Sequence, residues 1–318
     1  MFIVTGANGF IGSCLVKELN EHGVEDIWCA DVVGLEKRPE LLRTKRYSRF
    51  LETENILPEL KGQKPQCIFH MGACSSTLEM DREYLKKNNT LYTQELFEFS
   101  QKHEVPFIYA SSGAVYGDGS KGFDDEKDPH EYVALNPYGE SKLLFDQWVW
   151  GRQGLWFGLR FFNVFGPNEY HKGPMRSVAY KAFLQIQENG SLKLFKSENP
   201  KYKDGYQKRD FIYVKDVVRG MWELYQRREQ VQPGIYNLGF GKARAWIELA
   251  QAAFQALGKP EQIEWIDLPE NLKKQYQYFT EAKMDKWLSQ GLPAPQWPLE
   301  EAIEDYYKRY LLGDHIYW

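Results

Sequence analysis

An apolar run from Phe2 to Thr5 leads without a spacer into glycines at positions 6, 9 and 12, and this junction constrains the fold more than any other feature. An apolar-periodic stretch through Leu15, Val16 and Leu19 follows and ends near Gly23. The pattern predicts a buried parallel strand, a glycine turn and a helix N-terminus. Such a turn makes a seat for a pyrophosphate. Gly6 allows the tight bend, Gly9 lets the main chain approach the phosphates, and Gly12 lets helix and strand pack closely. The unpaired N–H groups of the first helical turn then face the anion. Phe10 and Ile11 fall inside the same turn, and Asp31 closes a second apolar run, Ile27 to Ala30. At that spacing an acidic side chain meets the adenosine ribose.

A chain of 318 residues with 43% hydrophobic content can bury a full core. A net charge of -4 argues against a nucleic-acid partner, which calls for a basic field. No run reaches membrane-spanning length. The first strand begins at residue 2, so no signal peptide is expected. The cysteines at 14, 29, 67 and 74 have neither disulfide nor zinc spacing, and the six histidines are scattered. No metal site is expected, and a reduced, cytoplasmic setting is the default.

Strand-like runs at Phe2–Thr5, Ile27–Ala30, Cys67–His70, Pro106–Ala110 and Trp156–Phe162 alternate with helical stretches near 11–22, 55–62, 81–103 and 138–153. Alternation of this kind predicts an α/β fold, a doubly wound parallel Rossmann sheet with ligands beyond the carboxyl ends of the strands. Beyond residue 165 the rhythm loosens: a helix at 175–189, a strand at Leu192–Phe195, a polar loop at 196–208, then strand, helix and strand through Leu238. The last eighty residues read as short helices and loops. The expected division is a dinucleotide-binding part over 1–165, with returning segments near 210–238, and a smaller substrate-binding part over 166–318.

Tyr138 and Lys142 stand four residues apart at the start of a helical run, which puts both on one face. That spacing alone is common. The preceding strand ends in Ser111-Ser112-Gly-Ala-Val-Tyr116-Gly117, with hydroxyls at the ligand-binding edge. A free tyrosine titrates near ~10, too high for a base at neutral pH. A neighbouring ammonium and an oxidised nicotinamide would both stabilise the phenolate. Ser112 would then hold the substrate oxygen.

Together the glycine motif, Ser-x-x-x-Tyr-Gly and Tyr-x-x-x-Lys resemble an extended short-chain dehydrogenase/reductase acting on a nucleotide sugar. Gly113-Ala114 after Ser112 replaces the Asp-Glu pair that a 4,6-dehydratase uses to expel water. Phe69-His-Met-Gly-Ala-Cys-Ser-Ser-Thr77, Lys87-Asn-Asn89 and Arg160-Phe-Phe-Asn-Val-Phe-Gly-Pro-Asn-Glu-Tyr-His-Lys-Gly173 resemble the ADP-glyceromanno-heptose 6-epimerases over nearly the whole chain. So do Lys193-Leu-Phe195, Lys208-Arg-Asp-Phe211 and Tyr276-Gln-Tyr-Phe-Thr280.

The resemblance implies inversion at C6 of an ADP-heptose for lipopolysaccharide core. A hydride leaves C6 to give a transient 6-ketone and returns to the opposite face. Two acid/base groups are then needed, Tyr138 and Lys172, with Lys142 and Ser112 in support. Read alone, a lysine in such a Gly/His-rich loop is more often a solvated charge or a phosphate contact than a catalytic group. The resemblance assigns Phe10, Ile11, Asp31, Val32, Arg38, Met71, Gly72, Ala73, Cys74, Ser75, Asn88 and Val164 to the cofactor, with Lys172 and the Tyr/Lys pair. It assigns Asn163, His171, Phe195, Arg209 and Tyr276 to the substrate with Ser112. Arg209 has its own rationale, since guanidinium suits a pyrophosphate; a surface salt bridge is the competing reading. Asp31 by itself suggests NAD, because it would repel a ribose 2′-phosphate. The resemblance implies NADP, with Lys37, Arg38 or Arg43 compensating, and a homo-oligomer.

Met71, Val32, Pro174 and Lys181 depart from the family pattern (Glu, Asn, Ser and His), and the 200–207 loop is longer. These changes bear on sugar or nucleotide preference rather than on C6 chemistry. Two other readings compete. A related 4-epimerase or 4-reductase would take UDP- or GDP-hexoses and tolerate loss of Lys172. A non-catalytic cofactor-sensing protein would have little reason to keep Tyr138, Lys142 and Ser112 together.

Overall fold

The computed structural model describes residues 1–273 and 276–318. Its centre is a seven-stranded sheet in which every pairing is parallel. The chain order of strands is β1 (Phe2–Thr5), β2 (Ile27–Asp31), β3 (Arg49–Glu52), β4 (Ile68–His70), β5 (Phe107–Ser112), β6 (Trp156–Phe161), β7 (Asn163–Phe165), β8 (Leu192–Phe195), β9 (Lys208–Tyr213), β10 (Gly234–Leu238), β11 (Ala243–Ala245) and β12 (Ile263–Ile266). In space the large sheet runs β10-β6-β5-β4-β1-β2-β3. The order reverses between β1 and β4, which opens a crevice at the carboxyl ends of those two strands. Thr5 is level with Ala30 on one side and His70 on the other, so the loops after β1, β2 and β4 leave from one edge.

Strands buried on both faces need apolar residues throughout, and β1, β2 and β6 are buried along their whole lengths. Arg160 sits fully buried in β6, where a lone charge would be costly. Asp146, on the helix Pro137–Val149, accepts from its Nε at 2.9 Å, and Nη1 donates to the Tyr116 hydroxyl at 3.0 Å. Tyr109 and Ser111 donate to the same carboxylate. The helix carrying Tyr138 and Lys142 is thereby bolted to β5 and β6. Its start is set locally: Asn136 accepts from the Gly139 N–H, and Pro137 fills the first helical position.

Most residues after 162 build a second layer, apart from β10 and the helix Val214–Arg227, which belong with the large sheet. β9 lies between β11 and β7, and β8 pairs with β12. The helices Val178–Asn189, Trp246–Leu257 and Leu299–Asp305 close over them around Phe183, Leu194, Phe211, Phe254, Tyr306 and Tyr307.

Several elements differ from the sequence reading. β3, β7, β11 and β12 are short strands that the apolar pattern did not reveal; β3 is a half-buried edge. Helix 55–62 shrinks to Ile56–Glu59. The 81–103 stretch contains a π-helical turn at Lys86–Leu91. The expected helix at 175–189 begins at Val178, because Gly173 takes φ 53° and Pro174 follows it. Of the segments near 210–238 expected to return to the dinucleotide-binding part, β10 joins the large sheet and the helix Val214–Arg227 packs on its core through Val217, Val218, Met221 and Leu224, whereas β9 is the middle of the three-stranded sheet. The terminal eighty residues hold a twelve-residue helix, Trp246–Leu257. Among the described residues no helix is long and apolar enough to cross a membrane, and no cluster of metal-ligating side chains occurs.

Candidate active site

The glycine turn is shaped by close approach of main chain to main chain. A Cβ on Gly12 would lie 2.0 Å from the Gly6 carbonyl oxygen, and one on Gly6 would lie 2.6 Å from the Gly72 nitrogen. Gly6 also takes φ 65°, which disfavours any side chain. The helix Phe10–Glu21 starts after Gly9 with no side-chain cap, which leaves its first N–H groups for an anion.

This turn forms one wall of a cleft of about 1280 Å³. Gly6, Gly9, Phe10, Ile11, Gly12, Asp31, Val32, Arg38, Met71, Gly72, Ala73, Cys74, Ser75 and Asn88 line it, as the sequence reading expected of cofactor contacts. Lys172 lines it too, its Nζ 5.4 Å from the centre of the Phe10 ring. Loop 71–77 and loop 170–175 face one another across the cleft and touch where the Thr77 hydroxyl meets Met175 Sδ at 3.7 Å. His171, expected at the substrate, lines this cleft as well, with a buried Nδ1 that has no partner. Burial holds its imidazole down at about 4, helped by the nearby Arg38, Lys172 and Arg176 charges.

Asp31 is buried and already accepts from the Asn8 and Val33 main-chain N–H groups at 2.9 and 3.0 Å. Burial raises its pKa, against the pull of those N–H groups and of Arg38. Arg38 donates to the Asn8 carbonyl at 3.3 Å beside it. Of the three cations considered for a 2′-phosphate, only Arg38 borders the cleft; Arg43 lines a separate cavity with Glu25, Lys45 and Tyr47.

Tyr138, Lys142 and Ser112 are not among the residues that line the cleft, but they neighbour Cys74, which is. The Cys74 thiol is within electrostatic range of both Tyr138 and Lys142. Burial raises the Tyr138 pKa, while a hydrogen bond with the Ser112 hydroxyl lowers it. Burial pushes Lys142 down to about 8, opposed by Asp146 one turn away. Its Nζ donates to the Ala110 carbonyl at 2.8 Å. Lys172 is likewise lowered by burial, with Glu169 opposing.

Asn163, Val164, Phe195, Arg209 and Tyr276 stand apart from the cleft lining, in the second layer. Arg209, on β9, is buried with no carboxylate partner among the described residues. Its guanidinium lies 5.5 Å from the Trp246 ring and 5.2 Å from the Tyr276 ring, and it donates to the Lys208 carbonyl. Phe195 meets Tyr276 edge-on at 6.4 Å, and the Trp246 indole donates to the Tyr276 hydroxyl at 3.1 Å. Asn163 and Val164, on β7, pair with Phe211 and Ile212 of β9.

Sequence reasoning missed Trp246 and Asn89. One tryptophan among ten carries no positional signal. Asn89 accepts from the Cys74 N–H at 2.8 Å, donates to its carbonyl at 2.9 Å and also donates to Ser141. An asparagine pair inside a helix, where asparagine is a poor former, was the available clue.

A nicotinamide dinucleotide fits these residues. The uncapped helix start and the glycine cradle suit its pyrophosphate, and Asp31 stands where a ribose would arrive. Comparison with known proteins agrees. Residues 2–239 match the NAD dependent epimerase/dehydratase family. The ADP-L-glycero-D-manno-heptose-6-epimerase of Nitratidesulfovibrio vulgaris (strain DP4) is 46% identical over 98% of each chain. The enzyme of that name from Fusobacterium nucleatum is 41% identical over the whole of both. The crystal structure of the Helicobacter pylori ADP-L-glycero-D-manno-heptose-6-epimerase superposes with a TM-score of 0.80 at 26% identity, covering 96% of this chain and 95% of that one. With a turn, cleft and Tyr/Lys helix of this form and relatives that match from end to end, the chain belongs to the NAD dependent epimerase/dehydratase family and, within it, to the ADP-L-glycero-D-manno-heptose-6-epimerases.

Proposed function

We propose that this isomerase interconverts the two C6 epimers of ADP-glycero-manno-heptose, with NADP as its resident cofactor. The observation that carries the reading is the position of Lys172, at the cleft wall above Phe10 and on a different element from Tyr138. When bound, the nicotinamide supplies the acceptor and donor of the C6 hydride. The glycine turn and the uncapped helix would hold its pyrophosphate, and Arg38 would answer a 2′-phosphate beside Asp31.

Tyr138 holds or moves the proton at the sugar C6 oxygen in one epimer, and Lys172 does so in the other. Both are perturbed by burial, in opposite senses: the phenol is made harder and the ammonium easier to deprotonate. Lys142, one turn from Tyr138, supplies a positive charge that favours the phenolate. Ser112 positions the substrate oxygen. Arg209, buried with no carboxylate partner among the described residues and walled by Trp246 and Tyr276, would take the substrate diphosphate. We further propose a homo-oligomer, as the resemblance implies, working in the reduced cytoplasm that the cysteine pattern suggests.

The direct experiment incubates the cofactor-loaded protein with the D-glycero nucleotide sugar and follows the C6 configuration by NMR. Inversion without net redox change is expected. Lys172→Met should lose at least ~100-fold of this activity. Retention of C6 configuration by folded, loaded protein would sink the reading.

A further inference from the structure

We propose that Asn168, clamped to the segment Ile316–Trp318, is a positioning residue that sets Lys172 against the cofactor cleft. The inference rests on the catalytic reading of Lys172 given above. Asn168 is fully buried and takes φ 77°, a left-handed backbone uncommon among non-glycine residues and most readily adopted by asparagine and aspartate. It lies four residues before Lys172.

Its side chain faces two ways. The Nδ2 group donates to the Ser13 hydroxyl at 3.0 Å, and Ser13 in turn donates to the Phe10 carbonyl at 3.1 Å. The same amide exchanges two bonds with Trp318: Nδ2 donates to the Trp318 main-chain oxygen, and Oδ1 accepts from the Trp318 N–H, each at 3.0 Å. One amide thus ties the Lys172 loop to the residue whose ring Lys172 covers.

The strap is itself anchored. Lys45 is buried and donates to the Trp318 main-chain oxygen at 2.6 Å and to the Leu41 carbonyl at 2.7 Å. The Tyr170 hydroxyl, two residues before Lys172, donates to the Ile316 carbonyl, and its ring meets Tyr317 edge-on at 5.3 Å. Glu169, between the two anchors, accepts from Gly166, Ser177 and Tyr306 and holds the loop from beneath. Loop 166–177 is therefore fixed at both sides and below, while His171 and Lys172 are left on the cleft side. A loop that only joined β7 to the following helix would need none of these bonds. A lysine that must present Nζ to one face of a substrate carbon needs them, because errors near 1 Å are expensive in a proton transfer.

The test compares wild type with Asn168→Gly and Tyr170→Phe. Glycine accepts the left-handed backbone, so the amide is removed without the strain that alanine would add. Tyr170→Phe removes only the bond to Ile316. Hydrogen exchange at the Trp318 amide reports release of the strap. Competitive trace acetylation across pH, read on the Lys172 peptide, reports where Lys172 titrates. In Asn168→Gly the Trp318 amide should exchange faster and Lys172 should titrate higher, toward an ordinary surface lysine. kcat should fall at least tenfold, while KM for the nucleotide sugar and cofactor retention stay within twofold. Tyr170→Phe should move the same readouts in the same direction by less. Unchanged Lys172 titration in a variant whose Trp318 amide has been released would overturn the proposal. If titration moves but even the wild type inverts no C6 centre, the clamp stands and the epimerase reading fails.

Discussion

Lys142 Nζ donates to the Ala110 carbonyl at 2.8 Å, two residues before Ser112 on the same strand. The bond ties the helix Pro137–Val149, which carries Tyr138 and Lys142, to the strand that carries Ser112. Burial holds that ammonium at about 8, against the Asp146 carboxylate. Tyr138 stands one turn away on the same helical face, where a positive charge favours the phenolate.

Tyr138→Phe should therefore lower kcat by ~10²–10⁴ and leave the bound dinucleotide in place. Cofactor absorbance after gel filtration and turnover on the same sample check this. Comparable loss of cofactor and turnover would mean that Tyr138 binds rather than reacts.

Arg209→Met separates binding from folding. Loss of a charge-assisted contact to a diphosphate costs roughly 1.5–3 kcal/mol, which is about ten- to a hundredfold in KM. Removing a buried guanidinium without a carboxylate partner should leave Tm unchanged or raise it. A fall in Tm without a change in KM would mark Arg209 as a packing residue.

Arg38→Ala tests cofactor choice. Its guanidinium is the cleft cation beside Asp31, so NADP affinity should fall about ten- to a hundredfold while NAD affinity stays within twofold. Isothermal titration with both dinucleotides decides. Equal losses would point to a purely structural bond to Asn8.

Gly12→Ala should weaken dinucleotide binding and destabilise the fold by about 1–3 kcal/mol, since the new methyl meets the Gly6 carbonyl and can only be accommodated by opening the turn. Urea unfolding with and without cofactor measures both effects.

Asp125 provides a pH test remote from the cleft. Burial raises this carboxyl to about 6, although it accepts from the Asn237 N–H at 2.7 Å. A folded pKa above the unfolded value means stability is full below about 4 and falls as pH rises toward 6. Asp125→Asn removes the titration. Its stability relative to wild type should improve between pH 4 and 6, by at most about 3 kcal/mol, and then stay level. Thermal melts across that range check the slope, and a gap that does not change with pH would contradict it.

Local pattern determined much of this protein. The glycine turn, β1, β2, β5 and the Tyr138 helix are each written in a short stretch whose own residues carry the signal, through apolar runs, glycine spacing or a helix cap. Phe2–Thr5 needs only apolar side chains to become a buried strand, and Asn136-Pro137 starts a helix without outside help. Tertiary structure decided the rest. β3, β7, β11 and β12 are three or four residues long and exist through their pairings, not through any period of their own. Loop 166–177 brings Lys172 to Phe10, 162 residues away in sequence, through an amide whose partners lie at Ser13 and Trp318. Arg209 is buried against Trp246 and Tyr276 because β9 carries it inward. Hydrogen bonds and desolvation act over a few ångströms and take no account of sequence separation, so no reading of adjacent residues could supply them.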